Sequence, residues 1–593
     1  MRFIGFLPVG DAQGQAARRT LEICLKRRRL DRVVDAANGL VLLVERGLAR
    51  VASSDGRILL GQAFDDDGRP ARVEDISGLA VEQLVERYWG PFVAIAPCSG
   101  PAGATFGQFH VARDPSGGLD CYLARTGAGL YIASDLALAL QAGLPAPQVD
   151  WAMLSHDLVH RRARGARTCL VEVEELAPGQ AATIGSGKVE TRLLWNPWRV
   201  VDRSLAGAPF PLAASALRSR IDLCTRALVD GYDRPAVELS GGLDSSIVTA
   251  AADRRDGLSA IHCVSPGPEG DERTYARAVA SAFGLSLEEQ TLRVGRFDPA
   301  RVITSALPRP GRPGVLGAAH RIVQAHCRAH RADVVLTGAG GDSVFCSLNT
   351  PAPVADRFWA RGPGLGFLRS LGDLSHRHNA SIWTVAAMTG RSIRRHFDPS
   401  RGATTRFLRP EAALEHQDLH PWLAAAPERS LLGHSLHVEA IAFILGYMQG
   451  QGRMNTIPTL APLLSRPVLE ACLDLPAWRW IEGGRDRAVA RAAYRGRLPD
   501  LVIDRRSKGG VDHYVVGLFE RNRVAVRDLL LDGLLTSAGV LDRPAVEAAF
   551  AAPEASRMGD AHRLLDLADA EAWARDWAGV AASTKATADD ARP

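Results

Sequence analysis

The run Pro235-Ala236-Val237-Glu238-Leu239-Ser240-Gly241-Gly242-Leu243-Asp244-Ser245-Ser246 restricts the fold more than any other stretch of the chain. Its first five residues read as a short apolar strand and Ser240 to Gly242 as a tight turn. The serines and the acid that follow open a helix from about Ser245 to Asp253. The pattern repeats downstream. Ser259–Val264 reads as a second strand and Glu272–Phe283 as a helix, with Tyr275, Ala276, Val279 and Phe283 at helical spacing. Another helix spans about Val315 to Arg331, and Asp333–Thr337 reads as a third strand. This alternation predicts an α/β fold with a doubly wound parallel sheet, whose ligands sit at the carboxyl ends of its strands.

A glycine turn that leaves a strand and opens a helix is suited to phosphate. Glycine lets the backbone approach an anion, and the helix start points N–H groups at it. Ser240, Ser245 and Ser246 add hydroxyl donors. Asp244 would repel a phosphate, so its sensible task is to hold a Mg2+ that bridges phosphates. A second acid should share that ion. Asp342 closes Thr337-Gly338-Ala339-Gly340-Gly341-Asp342 at the end of the third strand, and is the candidate. Lysine is scarce: Lys26, Lys188, Lys508 and Lys585 are the only four. Lys508, within Arg505-Arg506-Ser507-Lys508-Gly509-Gly510, offers a compact ammonium for an oxyanion that develops in a transition state. Gly185-Ser186-Gly187-Lys188 is not a kinase-type phosphate loop, because Val189 follows it and Ala182 stands where the first glycine belongs.

The 593 residues exceed one ordinary core. Residues 1–200 read as a β-rich domain, with apolar runs at Gly39–Glu45, Phe92–Ala96 and Leu130–Asp135 and a turn at Arg113–Gly118. Residues 205–580 carry the alternating pattern and helical additions. Residues 581–593 are small and polar, and are expected to be a disordered tail. Residues 357–396 are rich in arginine, with Phe358, Trp359, Phe367 and Trp383 interleaved. A net charge of +5 gives no warrant for a nucleic-acid partner, and no apolar run reaches the roughly 18 residues of a membrane span. Nine scattered cysteines with no CxxC pair, and no secretory signal, point to a reduced, cytoplasmic protein. His416-Gln417-Asp418-Leu419-His420 lacks the glutamate base of a zinc protease, and Gly433-His434-Ser435-Leu436-His437 lacks the second glycine of a nucleophile elbow. His156 and His160 are expected to cap a polar helix face, and Ala442, Phe443, Leu445 and Met448 to be core.

Ser240–Ser246 resembles the pyrophosphate loop of the ATP-pyrophosphatase family, which cleaves ATP between its α and β phosphates. Together with Thr337–Asp342 and Arg505–Gly510, in this order and spacing, it makes the chain resemble the asparagine synthetase superfamily over nearly its whole length. Arg491 to Pro499 and then Lys508 follow as in that family, whereas Leu460–Val468 keeps only the Pro-x-Leu portion of its E-A-R-x-P-F-L-D segment. The resemblance implies an N-terminal glutaminase-like (Ntn-type) domain and a C-terminal ATP-pyrophosphatase (adenine nucleotide alpha hydrolase-like) domain. It also implies ATP contacts at Leu239, Ser240, Gly241, Gly242, Asp244, Ser245, Ser246, Gly338 and Lys508, Mg2+ at Asp244 and Asp342, and catalytic roles for Lys508 and Asp244.

The departures from the family pattern narrow the function. The family's glutaminase nucleophile is a cysteine at position 2, and this chain has Arg2 there. The domain is therefore expected to persist as a fold without hydrolysing glutamine, and nitrogen to come from an amine. β-Lactam synthetases place a tyrosine where this chain has Ala339 and pair it with a glutamate, yet no acid lies between Glu439 and Glu470. The chain most resembles lasso peptide cyclases. That implies adenylation of an Asp or Glu side chain in a precursor peptide and closure by the peptide's N-terminal amine. A leader-binding protein and a protease would be its pathway partners. The rivals are a small-molecule amide ligase using a free amine or ammonia, and a degenerate docking scaffold.

Overall fold

The computed structural model describes residues 2–9, 12–28, 30–35, 40–98, 108–185, 188–201, 203, 208–252, 257–299, 306–409, 418–449, 457–507 and 509–589. Two six-stranded antiparallel sheets occupy the N-terminal part. One contains Phe3–Pro8, Val41–Glu45 and Gly129–Ala133, and the other Ile58–Gly61, Phe92–Pro97, Phe109–Arg113 and Gln180–Gly185. Period-two alternation sorts their side chains. Leu42 and Val44 join Ile58, Leu60, Val93 and Ile95 in a core between the sheets. Their neighbours Val41 and Leu43 face the opposite way, and Leu59 and Ala94 pack against the helix Val81–Arg87. Ser186 and Gly187 lie outside the described residues, and the strands either side pair as a hairpin.

The alternating half forms a five-stranded sheet in the order Leu287–Thr291, Ser259–Val264, Pro235–Glu238, Val334–Leu336, Thr459–Leu460, all parallel. Pro235–Glu238 is central, and the chain order reverses beside it. A crevice therefore opens at the carboxyl ends of this strand and Val334–Leu336. Both faces are covered. Val237, Ala260 and Leu336 pack beneath the helices Phe210–Val229 and Leu243–Ala252, while Ala236, Ile261 and Val335 meet Val323 and Cys327 of the helix Pro313–His330.

The two halves share cores. One apolar cluster joins Ile4, Phe6 and Tyr131 to Tyr514, Phe519, Trp573 and Trp577 of the C-terminal helices. A buried charge network does the same for polar groups. Arg113 donates to Glu175 at 2.7 Å, and Arg309 and Gln449 from the other half also bond that carboxylate. Burial alone would raise the pKa of Glu175, but Arg309 and Arg113 outweigh it and hold it at about 2.

Two expectations need correction. The helix Glu554–Asp589 runs through most of the stretch expected to be a disordered tail, because alanines at 581, 582, 586 and 588 favour propagation of the helix. Residues 590–593 lie outside the described residues. His156 and His160 do not cap a polar face: both are buried, with ring centroids 4.7 Å apart.

Candidate functional site

The loop after the central strand is held from below and from within. Leu239 N donates to Ile261 O at 2.9 Å, and the buried His262 donates from Nδ1 to Leu239 O at 2.9 Å. Burial lowers the pKa of His262, which favours the neutral ring. Gly241 has φ +80°, and a Cβ there would meet Ala276 N at 2.5 Å, so only glycine fits. The Ser240 and Ser245 hydroxyls lie 3.0 Å apart, and Gly242 N donates to Ser240 Oγ at 3.2 Å. Ser246 turns away. Its buried hydroxyl donates to Gly242 O at 2.7 Å, a hydrogen bond internal to the helix start.

The second turn interlocks with the first. A Cβ at Gly338 would lie 2.4 Å from Ser245 N, and one at Gly341 2.2 Å from Asp244 Cγ. This close approach brings Asp244 and Asp342 to one cation. Arg487 NH1 donates to both Asp244 oxygens at 2.8 Å and to Asp342 Oδ1 at 2.7 Å, while its Nε bonds Asp486 at 2.8 Å. Burial opposes the charge of Arg487, but Asp244, Asp342 and Asp486 outweigh it and raise its pKa. Three carboxylate oxygens around one cation position are the hard donor set that Mg2+ takes, so these residues fit the ion.

Both turns line a cavity of about 340 Å3, within the usual size of small-molecule sites. Leu239, Ser240, Gly242, Asp244, Ser245 and Gly338 form part of its wall, whereas Gly241 and Ser246 do not line it. Ile261, Cys263 and Ala319 give it an apolar end. Arg505 reaches it from the opposite side. Its guanidinium lies 3.8 Å from the Tyr275 ring centroid and 2.7 Å from Glu272, which also accepts from Gly509 N at 3.1 Å. These contacts fix the loop on both sides of Lys508, which itself lies outside the described residues. The sequence reading missed Arg487, Arg505 and Glu272. In a chain this rich in arginine, nothing local sets Arg487 apart.

A family profile described as Asparagine synthase matches residues 216–575. The chain belongs to the asparagine synthase family. Among solved structures it is similar to one titled as the allosteric regulatory enzyme of purine biosynthesis. There the identity is 9% and the TM-score 0.21, with 49% of this chain and 65% of that one covered. It is also similar to the glutamine phosphoribosylpyrophosphate amidotransferase of B. subtilis in complex with ADP and GMP. In that case the identity is 11% and the TM-score 0.20, covering 57% of this chain and 82% of that one. Neither likeness bears on the reading of the site. No curated protein sequence matches the chain.

Other motifs resolve as structure. Arg2 bonds Glu45 at 2.8 Å at one end of a cavity of about 530 Å3 that reaches Leu464. Gly433 and His434 start a buried helix whose N–H groups donate to Asp356 at 2.8 and 3.0 Å. His416 and Gln417 lie outside the described residues, and His420 is a buried cap for Trp422 N. Ala442 and Leu445 are core, whereas Phe443 lines a third cavity beside Arg162.

Proposed function

We propose that the protein is an ATP-dependent, AMP-forming amide ligase that closes a macrolactam in a peptide, as a lasso peptide cyclase does. The convergence of Asp244 and Asp342 across the two interlocked glycine turns carries the ligase reading. It sets a divalent-ion position beside an anion-binding loop at the switch point of the sheet, with Asp244 and Arg487 on the cavity wall. Mg2+, when bound there, supplies neutralising charge for the phosphates. A side-chain carboxylate of the peptide attacks the α-phosphorus and pyrophosphate leaves toward the loop formed by Ser240, Gly242 and Ser245. The peptide's N-terminal amine then attacks the acyl carbon, loses a proton and expels AMP. Lys508 stabilises the oxyanion of each step. Holding both ends of one folded peptide supplies effective concentration, which can lower a barrier by about 7–11 kcal/mol.

A peptide substrate is favoured by the surface of the helices Ala352–Arg361, Leu365–His378 and Ile382–Ile393. Trp359 is 62% exposed, Leu365 86% and Trp383 82%. Arg361, Arg369, Arg391, Arg394 and Arg395 lie exposed on the same three helices and just beyond them. A solvated arginine-rich face has no need of exposed tryptophans, whereas one that grips a chain does. Ala339 lines the cavity and carries no phenol to deprotonate an amine, which speaks against β-lactam closure. A leader-binding protein and a protease are the partners of this reading, in the cytoplasm.

Incubation with ATP, Mg2+ and precursor peptides from the gene neighbourhood tests the proposal. The expected product is a peptide about 18 Da lighter, by loss of one water, with AMP and pyrophosphate released in equal amounts. Asp244→Asn and Asp342→Asn should abolish both. Amidation of a free amino acid with every peptide unchanged would establish the small-molecule rival, and no ATP turnover the scaffold.

A further inference from the structure

We propose a second metal site, for a divalent transition ion such as Zn2+, formed by Glu288, His326 and His330 at the edge of the parallel sheet. His326 and His330 stand four residues apart on the helix Pro313–His330, on one face, with ring centroids 4.2 Å apart. Glu288 lies on the edge strand Leu287–Thr291 and faces both. One ligating atom from each residue falls within 4.8 Å of the other two.

The geometry separates this from a simple hydrogen bond. His326 Nδ1 is 2.6 Å from Glu288 Oε2, and that bond needs no third member. His330 Nε2 is 3.7 Å from the same oxygen, too long for a hydrogen bond. Two ligands held at about 2.1 Å on one tetrahedral ion are about 3.4 Å apart, so a spacing of 3.7 Å suits a shared ion. The His326 contact must widen by under about 1 Å, which the partly exposed Glu288 can supply by rotation.

The outer contacts are those that metal ligands use. His326 Nε2 is 3.1 Å from Ser259 Oγ, and Glu288 Oε1 accepts from Gln290 Nε2 at 3.1 Å. On binding, the neutral His326 ring changes tautomer: Nδ1 gives the proton that faces Glu288 to water, Nε2 takes one from water and donates it to Ser259 Oγ, and Nδ1 presents its lone pair to the ion with no net proton released. His326 is buried, while His330 and Glu288 are partly exposed, so the fourth position opens to water. Two imidazoles and one carboxylate favour Zn2+, Co2+ or Ni2+ over Mg2+.

The site shares no residue with Asp244, Asp342 or Arg487. It ties the sheet edge to a helix whose Ala319 lines the cavity between the two glycine turns, so the ion would brace that wall. The proposal is independent of the ligase reading.

The test uses the full chain, dialysed against a chelator and titrated with Zn2+ calorimetrically in excess Mg2+, then with Co2+ followed by absorption. One ion per chain is expected, with visible Co2+ bands and no thiolate charge-transfer band. His330→Ala and Glu288→Gln should each weaken Zn2+ binding at least about tenfold, with unchanged circular dichroism. Asp244→Asn should leave it unaltered. Absence of Zn2+ binding below about 100 μM would overturn the proposal. So would equal binding by both variants, or a thiolate band, which would place the ion at Cys98 and His110, whose Sγ and Nε2 are 3.3 Å apart.

Discussion

Gly338→Ala is the sharpest probe of the two-turn arrangement. The added Cβ would stand 2.4 Å from Ser245 N, 2.7 Å from Ser245 Cα and 2.8 Å from the Asp244 carbonyl carbon. Ordinary contacts of this kind sit near about 3.5 Å, so the helix start and the second turn must separate by roughly 0.7–1 Å. All three clashing atoms are backbone, and no rotamer relieves them. The movement draws Asp244 away from Asp342 and spoils the shared cation position. A displacement of about 1 Å at a reacting centre can cost about 10²-fold, which corresponds to about 2.7 kcal/mol. The accompanying loss of stability should be about 1–3 kcal/mol. ATP affinity, pyrophosphate release and thermal midpoint should be measured together. Gly372→Ala is the control: a Cβ there meets nothing within 4 Å, and in a helix interior it should stabilise by about 0.5–1 kcal/mol. Gly338→Ala protein with kcat/KM within twofold of the parent would refute the claim that the turns are interlocked.

Arg487→Met removes the cation that competes for Asp244 and Asp342. The half-saturating Mg2+ concentration measured by calorimetry should fall, while the thermal midpoint without Mg2+ drops as three carboxylates lose the Arg487 guanidinium. Lys508→Arg keeps the charge but not the shape, and should cost about 10²–10³ in kcat with less effect on ATP affinity, as pyrophosphate kinetics will show. Glu175 has a folded pKa of about 2, below its ordinary 4.5. The resulting stabilisation, about 3 kcal/mol, is fully present above about pH 4.5 and lost as pH falls toward 2. Acid titration of unfolding should show this slope, and Glu175→Gln should flatten it.

Three strands of the parallel sheet were legible because they are short apolar runs closed by turn residues, and their ends differ from the structure by at most one residue; the edge strands Leu287–Thr291, mostly polar, and Thr459–Leu460, only two residues long, were not. The gathering of Ser240, Gly242, Asp244 and Gly338 around one cavity was legible too, since the geometry of a strand-to-helix turn is local. The setting of Ser246 was not: nothing in the sequence shows that its hydroxyl bonds back to Gly242 O within the helix start. Arg487 was hidden for a different reason. Its importance comes from reaching across about 240 residues to Asp244, and a sequence window contains no trace of that. His156 and His160 misled because helical spacing gives a face but not what lies against it.

The shared apolar cluster has a consequence for how such a chain can be shortened. Ile4, Phe6 and Tyr131 are not a surface laid beside Tyr514, Phe519 and Trp573, but part of the same interior. Arg113 likewise completes the neutralisation of Glu175, which also binds Arg309 and Gln449. A gene that began at residue 205 would leave aromatic faces of the last helices wet and strip the Arg309 guanidinium of Glu175, Asp157 and its two backbone acceptors. Whatever chemistry the first 200 residues perform or have given up, the remainder relies on them to close its own interior.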